Sequence, residues 1–255
     1  MEFGICLGLD RMDQIDDLGF DFVEVNASGV AALGDEAFAE LMLAYAGYKT
    51  PVRASNGFFP ATMRLVGEER DLDACRDYIE HTMDRMKMLG VEVMVLGSGT
   101  SRRYDEGQTY QEALAEFREV IDLVADAAQR HEIVVALEPL NRSETNLLNY
   151  VAETAALVAC VNHPYIGVLA DYFHIQKDEE QLEDLYRVAP LSHVHIATLE
   201  RYFPIDQEDF APLIDVLSRS GYTGRISIEA ITENLQDDAA RAIELYRELQ
   251  AVTES

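Results

Sequence analysis

The segment VVALEPLNRSE, Val134 to Glu144, decides the fold. Its β-branched, apolar start reads as a buried strand. A carboxylate, Glu138, closes that run. Buried alone, it would lose on the order of several kcal/mol of hydration unless a cation or hydrogen-bond donors met it. Side chains alternate along a strand, so Val134, Ala136 and Glu138 share one face. If that face lines a barrel, Glu138 tops it at the C-terminal end, where such barrels build their sites.

Seven further stretches have the same β-rich character: Phe3–Leu9, Phe20–Asn26, Pro51–Asn56, Val91–Ser98, Ile166–Asp171, His193–Thr198 and Arg225–Ile231. With Ile133–Pro139 they make eight, the number that closes a parallel barrel. Amphipathic segments separate them. ERDLDACRDYIEHTMDRMKMLG (Glu69–Gly90) places Leu72, Cys75, Tyr78, Ile79, Met83, Met86 and Met88 on one predicted helical face and stops at Gly90. YQEALAEFREVIDLVADAAQRH (Tyr110–His131) repeats the pattern, and Asp237–Val252 supplies a last helix. No linker or low-complexity tract interrupts the alternation. The expectation is one (β/α)8 TIM barrel domain over residues 1–255.

The three strands after Glu138 repeat its feature. IGVLAD ends in Asp171 above Leu169; HVHIAT puts His193 and His195 on one face; RISIEA does the same with Ser227 and Glu229. Neighbouring strands lie about 5 Å apart, so four successive strand ends can converge on one ion. A lone strand-end Asp commonly caps a helix, and a lone strand His is commonly a core residue. The four together are different, because like charges buried side by side need something to neutralise them. Glu138, Asp171, His195 and Glu229 are therefore the candidate metal ligands. Three carboxylates and one imidazole form a hard site suited to Mn²⁺ first, or to Mg²⁺ or Co²⁺. Glu24 and Asn56, near the ends of strands two and three, are weaker pocket candidates.

Composition narrows the partners. A formal charge of -27 opposes binding to nucleic acid or to anionic membrane, both of which require clustered Lys and Arg. Cys6, Cys75 and Cys160 are an odd, scattered set without a CxxC pair, as expected of reduced thiols. Cys6, in an apolar stretch, reads as a small buried side chain. The N-terminus has no signal-peptide pattern and no apolar run reaches about 20 residues, so a cytoplasmic location is expected.

At ALEPLNRSE, ADYFHI, HVHIATLER and ISIEA the sequence resembles the xylose isomerase-like barrel superfamily. Within it, the chain is similar to the sugar isomerase and epimerase branch that contains the ketose 3-epimerases. The resemblance runs from the first strand to the last helix. It implies the same four metal ligands, and substrate-binding roles for Glu144, His174 and Arg201. It also implies that Glu138 and Glu229 form the acid/base pair. One would take a proton from the carbon beside a carbonyl and the other return it on the opposite face, through an enediolate that the cation stabilises. The implied substrate is a sugar or keto-sugar, and the resemblance is compatible with a homo-oligomer.

Two features depart from the epimerase pattern. After the seventh strand the chain reads IATLERYFPID, apolar and aromatic where the epimerases are acidic, which suggests a bulkier or more hydrophobic substrate. The chain also has no Trp, leaving Tyr202, Phe203, Phe58, Phe59 and Tyr172 as candidate stacking surfaces. GSGTSRRYDEG (Gly97–Gly107) reads either as a solvent loop or as a substrate loop in which Arg102 or Arg103 meets a polar group. Three other functions remain open from the sequence. One is a metal-dependent lyase or dehydratase acting on a keto-sugar or glycoside through the same enolate. The others are a non-catalytic sugar-binding barrel and an apurinic-site endonuclease, the last disfavoured by charge and by the absence of histidine in strands two and three.

Overall fold

The computed structural model describes residues 1–188 and 190–253. The expected single domain also includes Ala189, Glu254 and Ser255, which lie outside the described residues. Eight parallel strands close on themselves in sequence order: β1 (Glu2–Cys6), β2 (Phe22–Asn26), β3 (Val52–Asn56), β4 (Val93–Leu96), β5 (Val134–Leu137), β6 (Ile166–Asp171), β7 (His193–Ile196) and β8 (Arg225–Ile228). Seven lie inside the stretches expected from sequence, and β1 begins one residue before its expected stretch, at Glu2. Closure is made by β1 on β8, where Glu2 pairs with Arg225 and Ile5 with Ile228.

Helices cover the outside: α1 (Ala27–Ala31), α2 (Asp35–Tyr45), α3 (Leu72–Leu89), α4 (Gly99–Arg102), α5 (Tyr110–His131), α6 (Val151–Val161), α7 (Tyr172–Lys177), α8 (Gln207–Arg219) and α9 (Leu235–Thr253). Local chemistry sets their ends. Asp71 caps α3 by accepting from the backbone N–H of Asp73 and Ala74, and Gly90 ends it at φ 92°, a conformation open to glycine. Thr109 and Glu112 form a reciprocal capping box at the start of α5. Met88 departs from the sequence expectation. It is 61% exposed, because two residues beyond Met86 the helix has turned its side chain away from the barrel.

Two apolar layers result. The larger fills the space between strands and helices; Phe3, for example, stacks on Tyr246 of α9 at 4.1 Å between ring centroids. A smaller one fills the barrel itself, where Val93, Val95, Ala136 and Leu169 pack together beneath the C-terminal ends of the strands. The opposite mouth is tied by Arg225, whose guanidinium bonds to Glu2 and Glu92 at 2.6 Å each, and by Arg53 to Glu92 at 2.7 Å. No helix among the described residues is long and apolar enough to cross a membrane.

Candidate active site at the C-terminal mouth of the barrel

Strand register brings the expected residues to one place. The β6–β7 ladder pairs Asp171 with His195, and the β7–β8 ladder pairs His195 with Ser227, two residues before Glu229. Glu138 follows the last residue of β5, and its backbone N–H donates to Leu96 of β4 at 3.1 Å. One donor atom from each of Glu138, Asp171, His195 and Glu229 lies within 4.8 Å of the others. An ion about 2.0–2.6 Å from each ligand holds its donors no more than roughly 4–5 Å apart, so the span fits a single cation.

The electrostatics point the same way. Burial pushes the Asp171 carboxyl up to about 8, and the neighbouring Glu138 and Glu229 charges add to that rise. Glu229 is also raised, by burial and then by Glu138, despite His195 and Arg201 beside it. Burial opposes ionisation of Glu138 too, but the hydrogen bond and charge of His195, with His174 and Arg102, hold it below its ordinary value. Three crowded carboxylates, two of them driven toward protonation by burial and by neighbouring charge, are what a divalent cation would relieve.

His195 is held at both ring nitrogens. Nδ1 lies 3.2 Å from Glu138 Oε1 and 3.8 Å from Glu229 Oε2, while Nε2 lies 2.9 Å from Glu24 Oε1. Burial disfavours its charge, yet Glu24 and then Glu138 outweigh that and raise its pKa well above the usual imidazole range.

The residues implied by resemblance surround this centre. Arg201 Nη2 donates to Glu229 Oε2 at 2.6 Å, and its Nη1 donates to Glu144 Oε1 at 3.0 Å. Asn141 Nδ2 also donates to Glu144 Oε1, at 3.1 Å. The backbone N–H of Asn141 donates to His174 Nδ1 at 3.1 Å, which assigns the ring proton to Nε2, 3.4 Å from Asp171 Oδ2. Burial lowers the His174 pKa to about 4, so it presents a neutral N–H donor. Asn56, a weaker candidate from sequence, donates to Glu229 Oε1 at 3.1 Å.

Several sequence expectations change. Arg102 does not meet a ligand: it is fully buried behind the site in α4, and its Nη2 donates to the carbonyls of Glu138 at 2.8 Å and Leu148 at 3.3 Å. Arg103 donates to the carbonyl of Ser143 at 3.1 Å. The polar stretch folds inward because the carbonyls after β5 need donors. Cys6 is partly exposed instead of buried, and it approaches Glu24 and His195 at the end of β1. Phe58 and Phe59 are buried and stacked on each other at 4.6 Å, and Phe203 is buried as well. Tyr202, at 53% exposure, remains open at the mouth, and Tyr172 is half-buried.

Sequence comparison gives the lineage. A sequence profile described as "Xylose isomerase-like TIM barrel" matches residues 12–249. The chain belongs to this family. Among curated xylose isomerase-like relatives, a ketose 3-epimerase of Arthrobacter globiformis is 31% identical over 145 residues, 55% of this chain and half the length of that enzyme. A 3-dehydro-D-guloside 4-epimerase of Escherichia coli K12 is 24% identical over 235 residues, 87% of this chain and 86% of that one. Among solved structures, D-psicose 3-epimerase with D-tagatose from Clostridium cellulolyticum H10 superposes with a TM-score of 0.83 at 21% identity, covering 98% of this chain and 99% of that chain. The named relatives are sugar epimerases, in agreement with the expectation of a sugar isomerase or epimerase.

Proposed function

We propose that this protein is a divalent-metal-dependent epimerase of a sugar or keto-sugar, with Glu138, Asp171, His195 and Glu229 as the metal ligands. The supporting observation is that Glu138 and Glu229, from strands β5 and β8, bring carboxylate oxygens to one point within 4.8 Å of Asp171 and His195. The donor set suits Mn²⁺, with Mg²⁺ and Co²⁺ as alternatives. When bound, the cation polarises the substrate carbonyl and makes the neighbouring C–H more acidic.

Glu138 and Glu229 are the acid/base pair. They reach the site from different strands, so a substrate between them meets one carboxylate on each side. One removes the proton and the other delivers a proton to the opposite face. Arg201 aims Glu229 and favours its anionic form against burial, while Glu144 and Arg201 present an acceptor and a donor for sugar hydroxyls. His174 offers its Nε2–H. The exposed side chains of Leu199, Tyr202 and Ile231 lie on the loops that follow β7 and β8. They favour, as a second reading, a glycosidic substrate whose second group lies on this apolar rim, with epimerisation or elimination through the same enolate.

Incubation of Mn²⁺-loaded protein with ketohexoses and with keto-glycosides in deuterated water tests both. Epimerisation predicts solvent deuterium at a carbon beside the carbonyl in recovered sugar, and elimination predicts an unsaturated product. No exchange with any member of either panel contradicts the proposal.

A further inference from the structure

The Glu24 carboxylate is fully buried inside the barrel, beneath the candidate metal centre. It stands on β2 in the face shared by Phe22, just past an irregularity in the β2–β3 ladder between Val23 and Glu24. The extra residue, Arg53, belongs to β3, so strand alternation with Phe22 is what turns Glu24 into the barrel. Both carboxylate oxygens are engaged. Oε2 receives Ser227 Oγ at 2.6 Å and His193 Nε2 at 2.7 Å, and Oε1 receives His195 Nε2 at 2.9 Å. His193 Nε2 also lies 3.1 Å from Ser227 Oγ, which links the three supports. Three buried polar groups from two strands thus converge on one carboxylate that makes no hydrogen bond to the proposed acid/base residues.

We infer that Glu24 is a positioning residue that fixes the tautomer of the proposed metal ligand His195. An ionised carboxylate facing Nε2 requires the proton there. The lone pair is then left on Nδ1, the nitrogen turned toward Glu138 and Glu229. Histidine ligands to metals characteristically donate their second N–H in this way, which orients the ring and raises its basicity. Ser227 and His193 hold Glu24 in place and supply the donors that keep a buried carboxylate ionised. The inference rests on the metal reading above and adds to it the choice of nitrogen. Cys6 also approaches Glu24 and His195, so the competing arrangement is a second cation held by Cys6, Glu24 and His195. The saturation of both Glu24 oxygens by protein donors favours the positioning role.

The test titrates Mn²⁺ into the purified chain and into Glu24→Gln and Ser227→Ala, following free Mn²⁺ by electron paramagnetic resonance. The tautomer of His195 is read from ¹⁵N–¹H spectra of Mg²⁺-loaded, histidine-labelled protein. The wild type should bind one equivalent, with His195 protonated at Nε2. Glu24→Gln should still bind one equivalent about 10- to 100-fold more weakly, with both tautomers populated and unchanged circular dichroism. Ser227→Ala should show a smaller loss, within about tenfold, and it carries the test if Glu24→Gln does not fold.

Equal affinity in a folded Glu24→Gln, or in Ser227→Ala where that variant carries the test, overturns the inference alone. So does a proton on Nδ1 in the loaded wild type. Two equivalents in the wild type, one of them lost in Glu24→Gln, would make Glu24 a ligand and overturn it as well. A wild type that takes up no divalent cation overturns the metal reading and this inference with it.

Discussion

Arg201 is bonded to Glu229 at 2.6 Å while its own backbone sits in the left-handed region at φ 64°. A non-glycine residue there carries a local conformational cost. The site holds it by the backbone N–H of Arg201 on Thr198 O at 2.8 Å, by Ile231 N–H on Arg201 O at 2.9 Å, and by the two glutamates. The forked guanidinium serves both carboxylates at once, which a lysine ammonium does not reproduce in the same geometry. Arg201→Lys should therefore lower kcat/KM by about 10- to 100-fold, the equivalent of roughly 1.5–3 kcal/mol for charge-assisted hydrogen bonds. Steady-state kinetics on the substrate found in the exchange experiment would check it; unchanged kcat/KM contradicts the role.

Glu138→Gln and Glu229→Gln remove one proton-transfer group each while preserving shape. Each should lower kcat by about 10²–10⁴, the range expected for a positioned acid or base, with circular dichroism unchanged. A variant that retains turnover removes its carboxylate from the acid/base pair.

Gly97 follows the last residue of β4 directly beside the site, and a Cβ built on it would collide with Glu138 Oε2. Gly97→Ala should push that carboxylate aside without disturbing the ladder. Displacements of about 1 Å cost on the order of 10²-fold in rate. The check is kcat together with Mn²⁺ affinity, both of which should fall while the thermal transition is retained.

The constellation was legible in sequence because a charged group closing an apolar strand is costly enough to demand an explanation, and period-two alternation states which face it occupies. Glu138, Asp171, His195 and Glu229 came from that argument; Glu144, His174 and Arg201 came only from resemblance, since two lie in loops and His174 lies in the six-residue α7, too short to show a periodicity. The role of Glu24 was missed. Its signal was present: a carboxylate between Val23 and Val25 on the face of Phe22, and two inward histidines in HVHI of which one ion needs only the upper. Arg102 was misread because RR among glycines and polar residues resembles solvent loop, and the carbonyls it serves after β5 are set by tertiary geometry. Met88 failed because a helical face covers roughly 100° and the residue lies two positions past the last packed methionine.

Glu180 gives a pH-dependent prediction away from the site. It accepts from the Val151 N–H at the start of α6 at 3.0 Å, yet burial pushes its carboxyl up to about 7, with Asp178, Asp184 and Glu153 adding repulsion. The folded state thus holds this proton more tightly than the unfolded chain. The associated stabilisation is complete below the ordinary glutamate pKa and is lost as pH rises through about 7. Glu180→Gln should raise stability at pH 8 by on the order of 1 kcal/mol after solvent screening, about 2–4 °C in Tm for a chain of this size. At pH 4 it should change little. An equal gain at both pH values contradicts the assignment.

On the proposed function, four side chains at the mouth of the barrel hold one divalent ion. A crystal structure of the protein grown with Mn²⁺, phased on the metal's anomalous signal, tests it most directly. One strong peak is expected about 2.0–2.4 Å from an oxygen each of Glu138, Asp171 and Glu229 and from Nδ1 of His195. A peak bound by other residues, or no peak at saturating Mn²⁺, would contradict it.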